Sequence, residues 1–212
     1  MYTSALRTRS LAQSPVTVLV LDLDETLIHT AFPLRNLFQL PPPHYRFEDS
    51  INGYIRAGLK EFLKFCTSTF THVGIWTAAN ADYAQFIVQH VLKPLEFTPQ
   101  FLLTSKDCEW FPLQNGRGMI RVKPLRKLWT LPQYHWLRAT PENTLVVDDK
   151  SETALLNSQN LVPIRPFVPR TALDLQDPEL QRIQQKLKLW YFNYLSRKKS
   201  FLLSSFSPLV IK

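Results

Sequence analysis

An α/β architecture, with a mostly parallel central sheet flanked by helices, is expected from three observations in this 212-residue chain. Val16–Leu21, His72–Trp76 and Thr144–Val147 are short apolar runs rich in aliphatic and β-branched residues, the composition of strands buried on both faces of a parallel sheet. Segments with helical spacing stand between and after these runs, an order that favours parallel strands joined by helical crossovers. The first and third runs stop abruptly in acidic residues, and in open α/β sheets ligands gather beyond the carboxyl ends of the strands.

Val16–Leu21 is the first strand of this sheet. Residues 32–43 are proline-rich and irregular. Tyr45–Glu48 and Tyr54–Ala57 read as a small hairpin around Asp49-Ser50-Ile51-Asn52-Gly53, with Asn-Gly as the turn signal, so 31–57 forms a short flap. Gly58–Phe70 carries Leu59, Phe62, Leu63 and Phe65 at roughly helical spacing, and His72–Trp76 returns to the sheet. Asn80–Leu92 reads as a helix capped by Asn80 or Asp82, with Pro94 helping to end it. Phe101–Leu103, Cys108–Phe111 and Met119–Val122 are strand-like, with Asn115–Gly118 as a turn; 101–122 is expected to be a β-rich, partly antiparallel insertion. Thr144–Val147 and Leu161–Ile164 are the remaining strands. Asp177–Leu195 closes the domain as a helix, with Leu180, Ile183, Leu187, Trp190 and Tyr194 on its inner face. One domain over 16–195 is expected, after a flexible basic arm (1–15) and before a tail (196–212).

Apolar residues make up 45% of the chain, enough for a real core, which sets a disordered composition aside. The formal charge of +8 favours anionic partners. No zinc-finger spacing or RNA-binding aromatic signature accompanies it, so nucleic acid is not expected as a partner. Two cysteines and five dispersed histidines suggest neither a disulfide framework nor a zinc site. A reducing, cytoplasmic compartment is therefore the default. No stretch is long and apolar enough to cross a membrane, and no membrane partner is expected.

The strongest chemical signal is Asp22-Leu23-Asp24-Glu25-Thr26-Leu27, directly after the first strand. Alternate residues of a strand share a face, so Asp22 and Asp24 can start on one side and converge. Paired carboxylates repel unless a cation neutralises them or one keeps its proton. Magnesium suits a few carboxylates plus water and phosphate. A carboxylate can attack phosphorus as a nucleophile, while a second protonates the leaving oxygen and then activates water. Leu145–Val147 ending in Asp148-Asp149 repeats the device.

Val18-Leu19-Val20-Leu21-Asp22-Leu23-Asp24-Glu25-Thr26-Leu27-Ile28-His29 resembles the first motif of the haloacid dehalogenase (HAD) superfamily, in the form used by the FCP-like and small CTD phosphatases. That resemblance spans about Val16–Leu195 and implies a Rossmann-like HAD fold. It implies Asp22 as nucleophile, Asp24 as general acid and base, and Thr26 as the residue that hydrogen-bonds and orients Asp24. Ile75-Trp76-Thr77 fits the second motif, making Thr77 the phosphate ligand. Val122-Lys123-Pro124-Leu125 fits the third, making Lys123 the cation on the phosphoryl group. Leu145–Ser151 fits the fourth. Mg²⁺ would then be held by the Asp22 carboxylate, the Asp24 carbonyl and the Asp148/Asp149 pair, with Asp149 the direct ligand by analogy and Asp148 turned toward Lys123 or a metal-bound water. Arg56 matches a structural Arg of the family.

The same resemblance implies a phosphomonoester hydrolase acting on phosphoserine or phosphothreonine in a protein or peptide. A small phosphorylated metabolite or nucleotide is the alternative substrate, and a non-catalytic interaction module is the alternative class. Three departures bear on substrate: Lys106 stands near where small CTD phosphatases carry an Arg, Lys150 follows the acidic pair, and the loop flanking the first motif is short and proline-rich. Trp76, Trp110 and Trp129 are candidates for a groove lining, though each is more readily core or rim. A monomer is expected.

Overall fold

A computed structural model describes residues 15–31, 40–48, 51–113 and 118–204, with side chains described through residue 198. The strands are β1 (Val18–Leu21), β2 (Ile28–Ala31), β3 (Tyr45–Phe47), β4 (Ile51–Ile55), β5 (His72–Trp76), β6 (Leu102–Leu103), β7 (Glu109–Pro112), β8 (Met119–Val122), β9 (Thr144–Asp148) and β10 (Leu161–Pro163). The α-helices are α1 (Leu59–Thr69), α2 (Ala81–Ile87), α3 (Arg126–Thr130) and α4 (Glu179–Ser204). Residues 1–14 of the expected basic arm, residues 32–39, Asp49 and Ser50 of the expected hairpin turn, most of the Asn115–Gly118 turn and the last eight residues of the tail lie outside the described residues.

The central sheet is parallel, in the order β10-β9-β1-β5-β6. β1 lies in its middle and all four of its residues are completely buried. Its alternation feeds two cores. Leu19 and Leu21 pack with α1, α2 and α4 through Phe62, Leu63, Ile87, Ile183 and Leu187. Val18 and Val20 face Trp76, Leu103, Leu125, Leu128 and Ala154 on the other side. A sheet with both faces covered needs apolar residues at every position of its inner strand, which is why Val18–Leu21 lacks polar alternation.

Two sequence expectations are corrected. Asn52-Gly53 is not a turn: both residues lie inside β4, which pairs with β3 as Tyr45↔Gly53 and with β2 as Thr30↔Gly53. Glycine is needed there because a Cβ at Gly53 would fall 2.1 Å from the Tyr45 ring. The flap is therefore a three-stranded antiparallel sheet, β2-β4-β3. Likewise, 101–122 is not wholly an insertion. β6 is the edge strand of the central sheet, and only β7 and β8 form a separate antiparallel ribbon.

Asn80 caps α2 by accepting from the Tyr83 amide at 2.9 Å, and the helix widens into a π-turn at Val88–Leu92 before a tight turn at Lys93–Leu95. α4 continues to Ser204, past the Leu195 at which periodicity alone ended it.

Candidate active site

β9, β1 and β5 are neighbours, and their carboxyl ends deliver Asp148, Asp22 and Thr77 to one place. The register Leu21↔Ile75 and Leu21↔Val147 sets all three near one level. Lys123 arrives from the end of β8, held by its amide donating to the Thr153 carbonyl at 2.7 Å. A cleft of about 120 Å³ is lined by Asp22, Asp24, Thr77, Lys123, Asp148 and Lys150, among others.

Lys123 donates to Asp22 Oδ1 and to Asp148 Oδ2, each at 2.6 Å, and all three groups are buried. Burial alone would lower the Lys123 ammonium, but the two carboxylates outweigh it and raise it. Burial pushes the Asp22 carboxyl well above the usual carboxylate range; Lys123 pulls it back and Asp148 pushes it further up. One cation between two acids leaves a negative charge uncompensated.

Asp148 is nearly spent on the protein itself. Besides Lys123, the Thr153 hydroxyl donates to Oδ2 at 2.8 Å and the Lys150 amide to Oδ1 at 2.9 Å. Asp149 is freer, receiving the Thr26 hydroxyl at 3.5 Å. Burial, then the neighbouring Asp148, push its carboxyl up to about 6. Carboxylate oxygens of Asp22, Asp148 and Asp149 all lie within 4.8 Å of one another. Three hard oxygen donors with excess negative charge fit a divalent cation such as magnesium.

The role expected for Thr26 is corrected. Its hydroxyl faces Asp149, not Asp24. Asp24 is instead oriented by the Tyr83 hydroxyl at 2.5 Å and the Thr30 hydroxyl at 3.3 Å. Thr26 sits in a tight turn, its amide donating to the Leu23 carbonyl at 3.2 Å, and this turn aims its side chain across the loop. Burial raises the Asp24 carboxyl, while the Tyr83 hydrogen bond lowers it. Tyr83, Thr30 and Thr153 were not singled out from sequence for the site. Tyr83 lies in α2, and nothing in its spacing marks a hydroxyl aimed at a residue far back in the chain.

Thr77 is buried, and its hydroxyl accepts from the Ala79 amide at 3.0 Å. Arg121 donates to the Ala78 carbonyl at 2.7 Å and lies under the Trp110 ring, 4.8 Å from its centroid. This couples the β7–β8 ribbon to the cleft wall. Trp110 is exposed, Trp76 is fully buried and Trp129 packs on the second core. Arg56 is buried away from the cleft, where it donates to the Thr26 carbonyl.

A family model described as NLI interacting factor-like phosphatase matches residues 17–195. The CTD phosphatase-like protein 355R of Invertebrate iridescent virus 6 is 29% identical over 182 residues, covering 79% of this chain and 94% of that protein. The ubiquitin-like domain-containing CTD phosphatase 1 of Danio rerio is 28% identical over 182 residues, 81% of this chain but 48% of that protein. Among solved structures, fission yeast RNA polymerase II CTD phosphatase Fcp1 bound to beryllium fluoride superposes with a TM-score of 0.51 at 17% identity. That likeness covers 90% of this chain and 56% of that one, and concerns the fold.

Proposed function

This chain belongs to the NLI interacting factor-like phosphatase family, and from that premise we propose that it is a magnesium-dependent protein phosphatase working through an aspartyl-phosphate on Asp22. The observation that carries this reading is the buried Lys123 bridging Asp22 and Asp148 in a cleft that also presents Asp24 and Thr77.

In this reading the phosphoryl group enters beside Lys123 and the Thr77 hydroxyl. A carboxylate oxygen of Asp22 attacks phosphorus in line, and the bond to the leaving oxygen breaks. Asp24, held by Tyr83 and Thr30, gives that oxygen its proton. Asp24 then takes a proton from a water that attacks the same phosphorus, freeing phosphate and restoring Asp22. Raised by burial, the Asp24 carboxyl suits both halves of the cycle. A magnesium ion, held by the carboxylates of Asp22 and Asp149 and the Asp24 carbonyl, would supply positive charge against the phosphoryl oxygens. Asp148, already bound by Lys123, Thr153 and Lys150, orients Lys123.

The cleft's size favours a protein substrate. Pockets that enclose a small metabolite run to about 300–1,000 Å³, whereas this one is about 120 Å³. It can take a phosphoryl group, but the rest of the substrate must lie outside, against the flap and the β7–β8 ribbon.

The test is hydrolysis of p-nitrophenyl phosphate with and without Mg²⁺, then of phosphoserine and phosphothreonine peptides against nucleoside monophosphates. Magnesium-dependent turnover that Asp22→Asn abolishes, with peptides preferred, is expected. Turnover that survives Asp22→Asn would remove the covalent step, and preference for the nucleotides would remove the protein substrate.

A further inference from the structure

The chain's positive charge is concentrated at one end. From Leu180 to Lys212 there are seven Lys and Arg and no Asp or Glu. Everything before it holds 18 cations against 17 acids, which leaves a net charge of only +1 of the total +8. Most of this basic stretch is α4, whose opening residue Glu179 is the only acid on the helix and is fully buried.

α4 also carries exposed apolar side chains on its outer side. Its inner side is used by Leu180, Ile183, Leu187 and Tyr194. On the opposite side Leu189 and Phe192 are 63% and 68% exposed, with exposed Lys186 one step before them. Positions 186, 189 and 192 step by three, so they follow one another along the helix surface. The sequence then adds Phe201-Leu202-Leu203 one residue after Arg197-Lys198-Lys199. Beside the same stretch, a cleft of about 490 Å³ is lined by Trp190, Tyr194, Arg197 and Lys198, with Glu142 the single acid in its wall.

We propose that the outer face of α4 and its basic end form a docking surface for an anionic lipid bilayer, the helix lying in the interface with Leu189 and Phe192 inserted. A basic helix with an apolar row and flanking Lys and Arg is the chemistry that binds such a surface. Two other occupants fit less well. Nucleic acid would use the charge but leave Leu189 without a counterpart, and a second copy would bring together two helices whose exposed charges are all basic, against their mutual repulsion. No helix among the described residues is long and apolar enough to cross a membrane, and surface docking needs none.

The orientation leaves catalysis free. α4 begins on the side of the sheet where the loop after β1 emerges, with Asp177 meeting Arg56 and Arg56 the Thr26 carbonyl. It ends toward the opposite pole, where the Tyr194 hydroxyl donates to the Val16 carbonyl ahead of β1. A bilayer along the outer face of α4 would cover that flank of the domain and leave the cleft open at the carboxyl ends of the strands.

The full chain is sedimented with phosphatidylcholine vesicles with and without phosphatidylserine. Each Lys or Arg near an anionic surface contributes about fivefold, so binding at least tenfold tighter to the serine lipid is expected. Leu189→Ser with Phe192→Ser should weaken that binding at least fivefold and leave p-nitrophenyl phosphate turnover unchanged. Equal binding to both vesicles, or none, overturns the proposal without recourse to any variant. So does a double variant, folded by circular dichroism, that binds like wild type, or tighter binding to a single-stranded RNA oligonucleotide than to vesicles. A concentration-dependent dimer that the double variant dissolves would overturn it in favour of a second copy.

Discussion

Lys123 is worth most to the molecule as a counter-charge. It is buried between Asp22 and Asp148, so removing it leaves two carboxylates facing each other without water. Breaking a buried pair from one side costs about 3–5 kcal/mol. Lys123→Ala should lose stability on that scale in urea unfolding, and Asp148→Asn in the same background should recover part of it. Additive losses from the two changes would deny the coupling. Tyr83 acts on Asp24 in a more graded way. Its hydrogen bond lowers the Asp24 carboxyl against the rise from burial. Tyr83→Phe should therefore raise that carboxyl further, keep Asp24 protonated to higher pH, and move the alkaline limb of kcat/KM upward. A pH profile that changes in height but not in position would mean that Tyr83 only packs. Asp22, Asp24, Thr77, Lys123, Asp148 and Asp149 were all legible in the sequence, because each follows a recognisable apolar run or family segment. The partners that orient them were not, since Tyr83, Thr30 and Thr153 reach the site through tertiary contacts that no local spacing encodes.

Among elements, β1, β5 and β9 were legible for a physical reason: strands covered on both faces show as uninterrupted apolar runs. β2 was not, because His29 and Thr30 interrupt its apolar character and it follows the acidic motif directly. β4 was misread because Asn-Gly ordinarily marks a turn, whereas here the glycine makes room for the Tyr45 ring. Gly74 in β5 has the same task toward Phe101, whose ring lies 2.3 Å from where a Cβ would stand. Gly74→Ala should cost about 1–3 kcal/mol by overpacking, read as a lower melting temperature. An unchanged melting temperature would show that Phe101 moves aside freely. At the start of α4, Glu179 accepts from Arg182 and from Arg165, its side chain fully buried. The Arg182 hydrogen bond, ahead of the others, holds its carboxyl down to about 2 against an ordinary 4.5. A depressed carboxylate stabilises the fold at pH above about 4.5, and that contribution is lost as pH falls toward about 2. Glu179→Gln should thus cost about 1–3 kcal/mol at pH 7 and progressively less toward pH 3. Melts at both pH values separate this from a packing defect, which would persist in acid.

Across the whole molecule, Arg56 fastens distant parts of the chain. It donates to the Thr26 carbonyl at 2.9 Å, to the Arg165 carbonyl at 2.9 Å and to Asp177 at 2.8 Å, with its guanidinium over the Phe167 ring. One planar group thus joins the loop after β1, the segment after β10 and the entry to α4. Lysine cannot reproduce that fork, so Arg56→Lys should destabilise by about 2–4 kcal/mol. It should also loosen the Thr26 turn, seen as faster hydrogen exchange at the Thr26 and Leu27 amides, which both bond to the Leu23 carbonyl. Exchange that rises everywhere equally would reduce Arg56 to a general stabiliser.

The strand order β9-β1-β5 has a consequence for how the protein is made. β1 leaves the ribosome first, yet it sits in the middle of the sheet, and one of its two neighbours, β9, is translated much later. At ordinary elongation rates that delay is on the order of ten seconds. For that time one edge of a wholly apolar strand lacks its partner, and Asp22 has neither Lys123 nor Asp148 beside it. Such an edge is open to misassociation during synthesis, and the cleft that joins Asp22, Lys123 and Asp148 is complete only once β9 has been translated.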